Sequence, residues 1–136
     1  MAILSRLIPL FYSSSGRMGR LVFALCAGIL LGLWAAFDLY VTGMAHAVLS
    51  WVVLPALFFA GACVLSKRLH DRGRSGWWFW PVLYALVSVW PEPQGFGGAL
   101  ALAFLILVAV ELFVMPGEAR FNRFGFKPTF AAPQYY

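Results

Sequence analysis

Ser75, His70 and Asp71 fall within six consecutive positions. They are the residue types of a nucleophile, a base and an orienting group, the set that nucleophilic catalysis requires in mutual hydrogen-bond reach. A short loop supplies the types without the geometry, so no catalytic residue is assigned and the chain is not expected to be an enzyme. His70 and Asp71 also invite a metal reading. Neighbours on a helix point about 100° apart, and a zinc site takes three or four ligands. The other histidine, His46, lies beyond an apolar run, and no thiol is near in sequence. No metal or cofactor is expected.

Two more acids stand out, Asp38 and Glu111, each near the end of an apolar run. An acid at the bilayer centre costs roughly 2.5–3.5 kcal/mol on insertion scales. Both are expected at the membrane interfaces instead, on opposite sides and about 20 Å apart in depth at 1.5 Å per residue. They cannot then form a proton relay. Glu111 is expected to pair with Arg17, Arg20 or Arg68.

The elements that position these groups follow from composition. Apolar residues make up 62% of the chain and charged residues 11%, against roughly 45–50% and 25% in soluble domains. So much apolar surface in 136 residues requires lipid as part of the solvent. The predicted fold is all-α, a single integral membrane domain over 1–136 with four transmembrane helices at about 21–41, 47–66, 77–90 and 99–115. A spanning helix needs about 20 residues for a core of about 30 Å. The third run, at roughly 21 Å, needs local thinning of the bilayer. Residues 3–11 are apolar, too short to cross, and expected among the headgroups.

All ten Lys and Arg residues lie in the segments 1–20, 67–76 and 116–136, and none lies in the other two loops. By the positive-inside rule those three segments, with both termini, are cytoplasmic. The same placement beside apolar runs argues against nucleic acid as the partner of the net +5 charge. Arg17, Arg20, the run after them and Ala45-His46-Ala47 loosely resemble a signal peptide, but the run is longer than the usual ~7–15 residues. Cys26 and Cys63, both within apolar runs, are expected to be small core residues rather than a disulfide.

Within the first span, Ala24, Gly28, Gly32 and Ala36 recur every four residues. Such a ridge lets another helix approach closely and is expected to pack inside the bundle, with a homodimer interface as the alternative. Pro55 is expected to kink the second span. Trp77, Trp78 and Trp80 are expected at the inner interface and Trp90 at the outer one. In the charged island, Asp71-Arg72-Gly73 reads as a turn with Gly73 at positive φ, and Ser75 as the cap of the third helix. Its four basic residues could also meet anionic lipid headgroups.

The stretch Arg68-Leu69-His70-Asp71-Arg72-Gly73-Arg74-Ser75-Gly76-Trp77-Trp78 resembles the signature of a family of small bacterial inner-membrane proteins, domain of unknown function 805. Gly16-Arg17-Met18-Gly19-Arg20 resembles that family's opening segment, and Asn122-Arg123-Phe124-Gly125 with Pro128 its closing one. One departure is that Val22 and Ala24 stand where the family often has an acid and an aromatic residue. The resemblance implies a multi-pass protein of the bacterial inner membrane and brings no activity or substrate with it. It also suggests that the three cytoplasmic segments fold into one polar cap. The candidate members of a polar network or anion site there are Arg17, Arg20, Arg68, His70, Asp71, Arg72, Arg74, Ser75, Asn122 and Arg123. The leading expectation is a structural or interaction protein, with membrane lipids, an unidentified membrane protein or a second copy as partner. A small oligomeric transporter or channel is the alternative, and an enzyme acting on lipid headgroups ranks behind both.

Overall fold

The computed structural model describes residues 4–89 and 92–125. The readings made above for Trp90 and Pro128 fall outside them. The described chain is helical. Helix α1 (Leu4–Tyr12) is followed by α2 (Arg20–Tyr40) and α3 (Gly43–Asp71). A 3-10 turn (Gly76–Trp78) then leads into α4 (Phe79–Val89). Helix α5 (Gly95–Ala109) ends in a π turn over Val110–Val114.

Three helical stretches are long and apolar enough to cross a membrane: Arg20–Tyr40, Gly43–Asp71 and Gly95–Val114. The fourth apolar stretch, Gly76–Val89, is shorter. Two boundaries differ from expectation. Helix α3 starts at Gly43, before Ala47, and contains Pro55. Helix α5 starts at Gly95, four residues early, because Gly95 at φ 60° opens the helix directly after the turn.

The core sits at one end of the molecule. Met18, Phe23, Cys26, Val64, Leu69 and Leu112 form its buried cluster, with Leu10 and Phe11 of α1 packed against it. The Phe23 ring meets Phe113 at 5.0 Å between centroids. Val82 and Ala85 of α4 and Gly98 of α5 are also buried, but much of the remaining helix surface stays exposed, including Leu31, Leu33, Leu39, Val48, Trp51 and Val52. Lipid tails are as apolar as leucine, so apolar faces gain little by leaving lipid for one another. Something other than greasy packing must hold such helices together.

The small-residue ridge of α2 corrects an expectation. Ala24, Gly28, Gly32 and Ala36 are all exposed, and nothing lies within 4 Å of a Cβ built at Gly28 or Gly32. Within the chain, α2 instead turns the stripe Phe23, Cys26 and Leu30 inward. The rotation has a cause at the helix start. Arg20, on the same side of the helix as Phe23, donates from Nη1 to the Val114 carbonyl at 3.1 Å and so aims that face at the π turn. Gly28→Ala and Gly32→Ala are therefore expected to raise stability, by up to about 1 kcal/mol each from helix propensity. Thermal unfolding of the detergent-purified variants checks this, and a fall would mean that the ridge is packed.

Asp38 lies at the opposite end from the core. Its carboxylate meets His46 Nε2 at 3.4 Å across the turn between α2 and α3, with Phe37 stacked on the His46 ring.

Candidate functional site

The end of α3 carries Lys67, Arg68 and Asp71, and all three are buried. Burying charge is costly unless each group is paired and hydrogen-bonded. The chain meets this demand by folding two distant segments, 16–20 and 111–125, around the helix end.

Asp71 is the centre. Its Oδ1 accepts from Arg17 Nε at 3.1 Å and Arg17 Nη2 at 2.9 Å. Its Oδ2 accepts from Arg68 Nη1 at 2.5 Å. The side chains of Arg17, Arg68 and Asp71 are 1%, 0% and 3% exposed. Two guanidinium groups on one carboxylate leave an excess positive charge underground, and backbone carbonyls absorb it. Arg17 Nη1 donates to the carbonyls of Arg120 at 2.9 Å and Gly125 at 3.2 Å, and its Nη2 to that of Glu118. Arg68 donates from Nε to the Leu112 carbonyl at 2.7 Å and from Nη2 to that of Met115 at 2.6 Å.

Most of the carbonyls used by Arg68 and its neighbours share one origin. The last four carbonyls of a helix have no partner inside it, and that end carries a partial negative charge. Arg68 reaches the final turn of the last helix at Leu112, Arg20 reaches Val114, and Arg72 donates to Pro116 just beyond at 2.6 Å. Lys67 does the same for α1, donating from Nζ to the carbonyls of Pro9 and Leu10. Four cations from α2, α3 and the loop after α3 thus cap two other helix ends. The main chain adds Met18 N–H to the Lys67 carbonyl at 3.2 Å and Glu118 N–H to the Asp71 carbonyl at 2.8 Å.

Two glycines make the approach possible. At Gly117 a Cβ would coincide with the Asp71 carboxylate. Gly73 holds φ 68°, and its absent side chain leaves room for the Glu118 carboxylate. The turn read from Asp71-Arg72-Gly73 is present, with Gly73 N–H donating to the His70 carbonyl at 3.0 Å.

The closing segment docks through Asn122. Its Nδ2 donates to the His70 carbonyl at 3.0 Å and to Glu118 Oε2 at 2.8 Å, and its Oδ1 accepts the Phe124 N–H at 3.0 Å. This turn lays the Phe124 ring flat on His70, 3.9 Å between centroids and 7° between planes. His70 Nδ1 lies 3.2 Å from the Gly16 carbonyl. Arg123 lies over the Phe124 ring at 4.7 Å, so it joins the cap through an aromatic face rather than a carboxylate. Ser75 Oγ accepts from the Trp77 N–H at 3.4 Å at the start of the 3-10 turn, apart from the charged centre.

Glu111 corrects a pairing. It meets Arg74 Nε at 2.9 Å and Arg72 Nε at 3.6 Å, not Arg17, Arg20 or Arg68. Those three point inward to Asp71 or to the helix-end carbonyls, which leaves the loop arginines to receive Glu111. The Arg72 Nε is buried with no hydrogen-bond partner, so its attraction to Glu111 is Coulombic only.

Ser75, His70 and Asp71 therefore do not form a reacting set. The Asp71 carboxylate points to two arginines, the His70 ring to Gly16 and Phe124, and the Ser75 hydroxyl to the next helix. Among the described residues, no three of His, Cys, Asp and Glu gather where they could hold a metal ion. The residues that sequence reasoning missed are Lys67, Gly117 and Glu118. The signals available for them were a lysine one turn before Asp71 and a Pro-Gly-Glu run directly after the last span.

The chain is 28% identical over 123 residues to the "Uncharacterized protein YiiR" of Escherichia coli strain K12, covering 84% of each chain. The protein of the same description in Escherichia coli O157:H7 matches to the same extent. No solved structure matches the chain. A family model matches residues 11–126, a stretch that contains every cap residue from Arg17 to Gly125. On that match the chain belongs to the family described as "Protein of unknown function (DUF805)".

Proposed function

We propose that the chain is a four-span protein of the bacterial inner membrane, with both termini cytoplasmic, that acts structurally or as an interaction platform. Its cytoplasmic cap is the working part. One observation carries this reading: the buried Asp71 ties Arg17, Arg68 and the 117–125 segment together at the end where the core sits. Every basic side chain described in that cap sits at this same end, while Asp38 and His46 face each other at the far end. Under the positive-inside rule the cap end is cytoplasmic. The stretch Gly76–Val89 is the short fourth span, helped by the exposed Trp77 and Trp80 in the interfacial belt. The non-catalytic part of the proposal is supported by the dispersal of Ser75, His70 and Asp71 onto separate partners.

Two experiments test it. A reporter active only outside the cytoplasm is expected to be active when fused near Gly95 and silent near Gly73; the reverse would overturn the topology. Crosslinking and copurification from native membranes are expected to return a stoichiometric partner held through the cap. Turnover of a headgroup substrate by the purified protein would refute the non-catalytic reading.

A further inference from the structure

Arg74 is a cap arginine whose guanidinium is held at Nε and whose side chain still reaches outward. Glu111 Oε1 holds its Nε at 2.9 Å, and the Trp78 ring supports its face at 5.0 Å. Its side chain is 42% exposed. Among the described residues neither Nη1 nor Nη2 donates a hydrogen bond to the protein. A guanidinium held at Nε presents its two terminal amino groups as a planar fork, the geometry that matches two oxygens of a phosphate. Arg72 stands beside it on the same carboxylate at 3.6 Å. Glu111 therefore balances only one of the two cations, and one positive charge remains at the site. Trp77 and Trp80, in the 3-10 turn and helix that follow Arg74 in the chain, are 77% and 57% exposed, which is the composition of the membrane headgroup layer.

We propose that Arg74, positioned by Glu111 and Trp78, binds the phosphate of an anionic phospholipid in the leaflet that faces the cap. The inference rests on the proposed membrane orientation only for which leaflet supplies the lipid. The site itself follows from Arg74, Glu111 and Trp78. The lipid is favoured over a free phosphate because the exposed tryptophans offer an apolar surface to glycerol and acyl chains, which a free ion would not use. Glu111 is a positioning residue: it touches no ligand and holds the fork in one orientation.

The experiment is native mass spectrometry of the detergent-purified protein titrated with phosphatidylglycerol, with phosphatidylcholine and inorganic phosphate as separate arms. Phosphatidylglycerol is expected to bind at one preferred site, above the level reached by phosphatidylcholine. Arg74→Gln is expected to weaken that binding about fivefold, the equivalent of about 1 kcal/mol for one basic group at a membrane surface. Arg120→Gln, which removes the same charge from an exposed position, is expected to change it less than twofold. Glu111→Gln separates a built site from plain attraction. It removes a negative charge and makes the protein more positive, so diffuse attraction would tighten lipid binding, whereas loss of the positioned fork loosens it. Thermal unfolding of each variant identifies any that has lost its fold, and Trp78→Leu then tests the same site without altering charge. Tighter binding by folded Glu111→Gln, equal losses for Arg74→Gln and Arg120→Gln, or displacement of the lipid by inorganic phosphate would each overturn the proposal. A reversed reporter topology with the lipid preference intact would overturn the orientation and leave the site standing.

Discussion

Asp71→Ala is expected to cost about 3–5 kcal/mol of stability, the scale measured when one partner of a buried ion pair is removed. The variant leaves Arg17 and Arg68, each 1% exposed or less, without their shared carboxylate. Neither arginine can reach water without breaking the carbonyl bonds that cap the last helix and hold the 117–125 segment. Asp71→Asn keeps two polar atoms at the site but turns one from acceptor to donor, facing arginines that can only donate. It is expected to fall between Asp71→Ala and the parent. Thermal or denaturant unfolding of the detergent-purified protein checks the order. An Asp71→Ala protein as stable as the parent would remove the electrostatic account of the cap.

Gly117→Ala is expected to approach the same loss through a single methyl group. The added Cβ occupies the place of the Asp71 carboxylate, so either the carboxylate leaves its two arginines or the backbone of 116–118 moves away. Overpacking alone costs about 1–3 kcal/mol, and displacement of the carboxylate adds part of the ion-pair loss. The two substitutions share one volume, which gives a sharper expectation. In Asp71→Ala/Gly117→Ala the methyl enters space already vacated, so the double variant is expected to be at least about 1 kcal/mol less damaged than the sum of the singles. Additive losses would mean that Gly117 acts on some other contact.

What the sequence revealed, and what it hid, divides along a physical line. Helix type and membrane character are composition effects, and the long apolar stretches carry them openly. The cap residues were visible as well, because charge at the edge of an apolar run is rare enough to mark each position. Partners were not visible. Many of the cap bonds go to backbone carbonyls, several of them at helix ends, and a carbonyl has no residue type to read. Nor does sequence say which face a helix buries when lipid tolerates either. The ridge from Ala24 to Ala36 is a sound packing motif by spacing, yet Arg20 on Val114 turned the neighbouring stripe inward instead. Glu111 was misassigned for a related reason. Its depth matched Arg17 and Arg68, but both were already committed to Asp71, a competition that only three-dimensional placement exposes.

The π turn over Val110–Val114 also lay beyond sequence reading. Such turns recur at functional sites, and this one carries Glu111 to the loop arginines while its end offers carbonyls to Arg20 and Arg68. The last helix therefore ends as a docking surface for side chains from α2 and α3. Since much of the surface of those helices away from the cap stays exposed, the cap is the place where the chain becomes one unit.

Hydrogen exchange of the backbone amides tests that claim most directly. The Met18 amide bonds to the Lys67 carbonyl, Gly73 to His70, and Glu118 to Asp71, so each of the three segments carries a reporter. If the segments form one cooperative unit around Asp71, Asp71→Asn lowers protection at all three by the same free energy, as expected when one unit opens together. Loss of protection confined to Glu118, with Met18 and Gly73 protected as in the parent, would contradict the account and reduce the cap to separate local contacts.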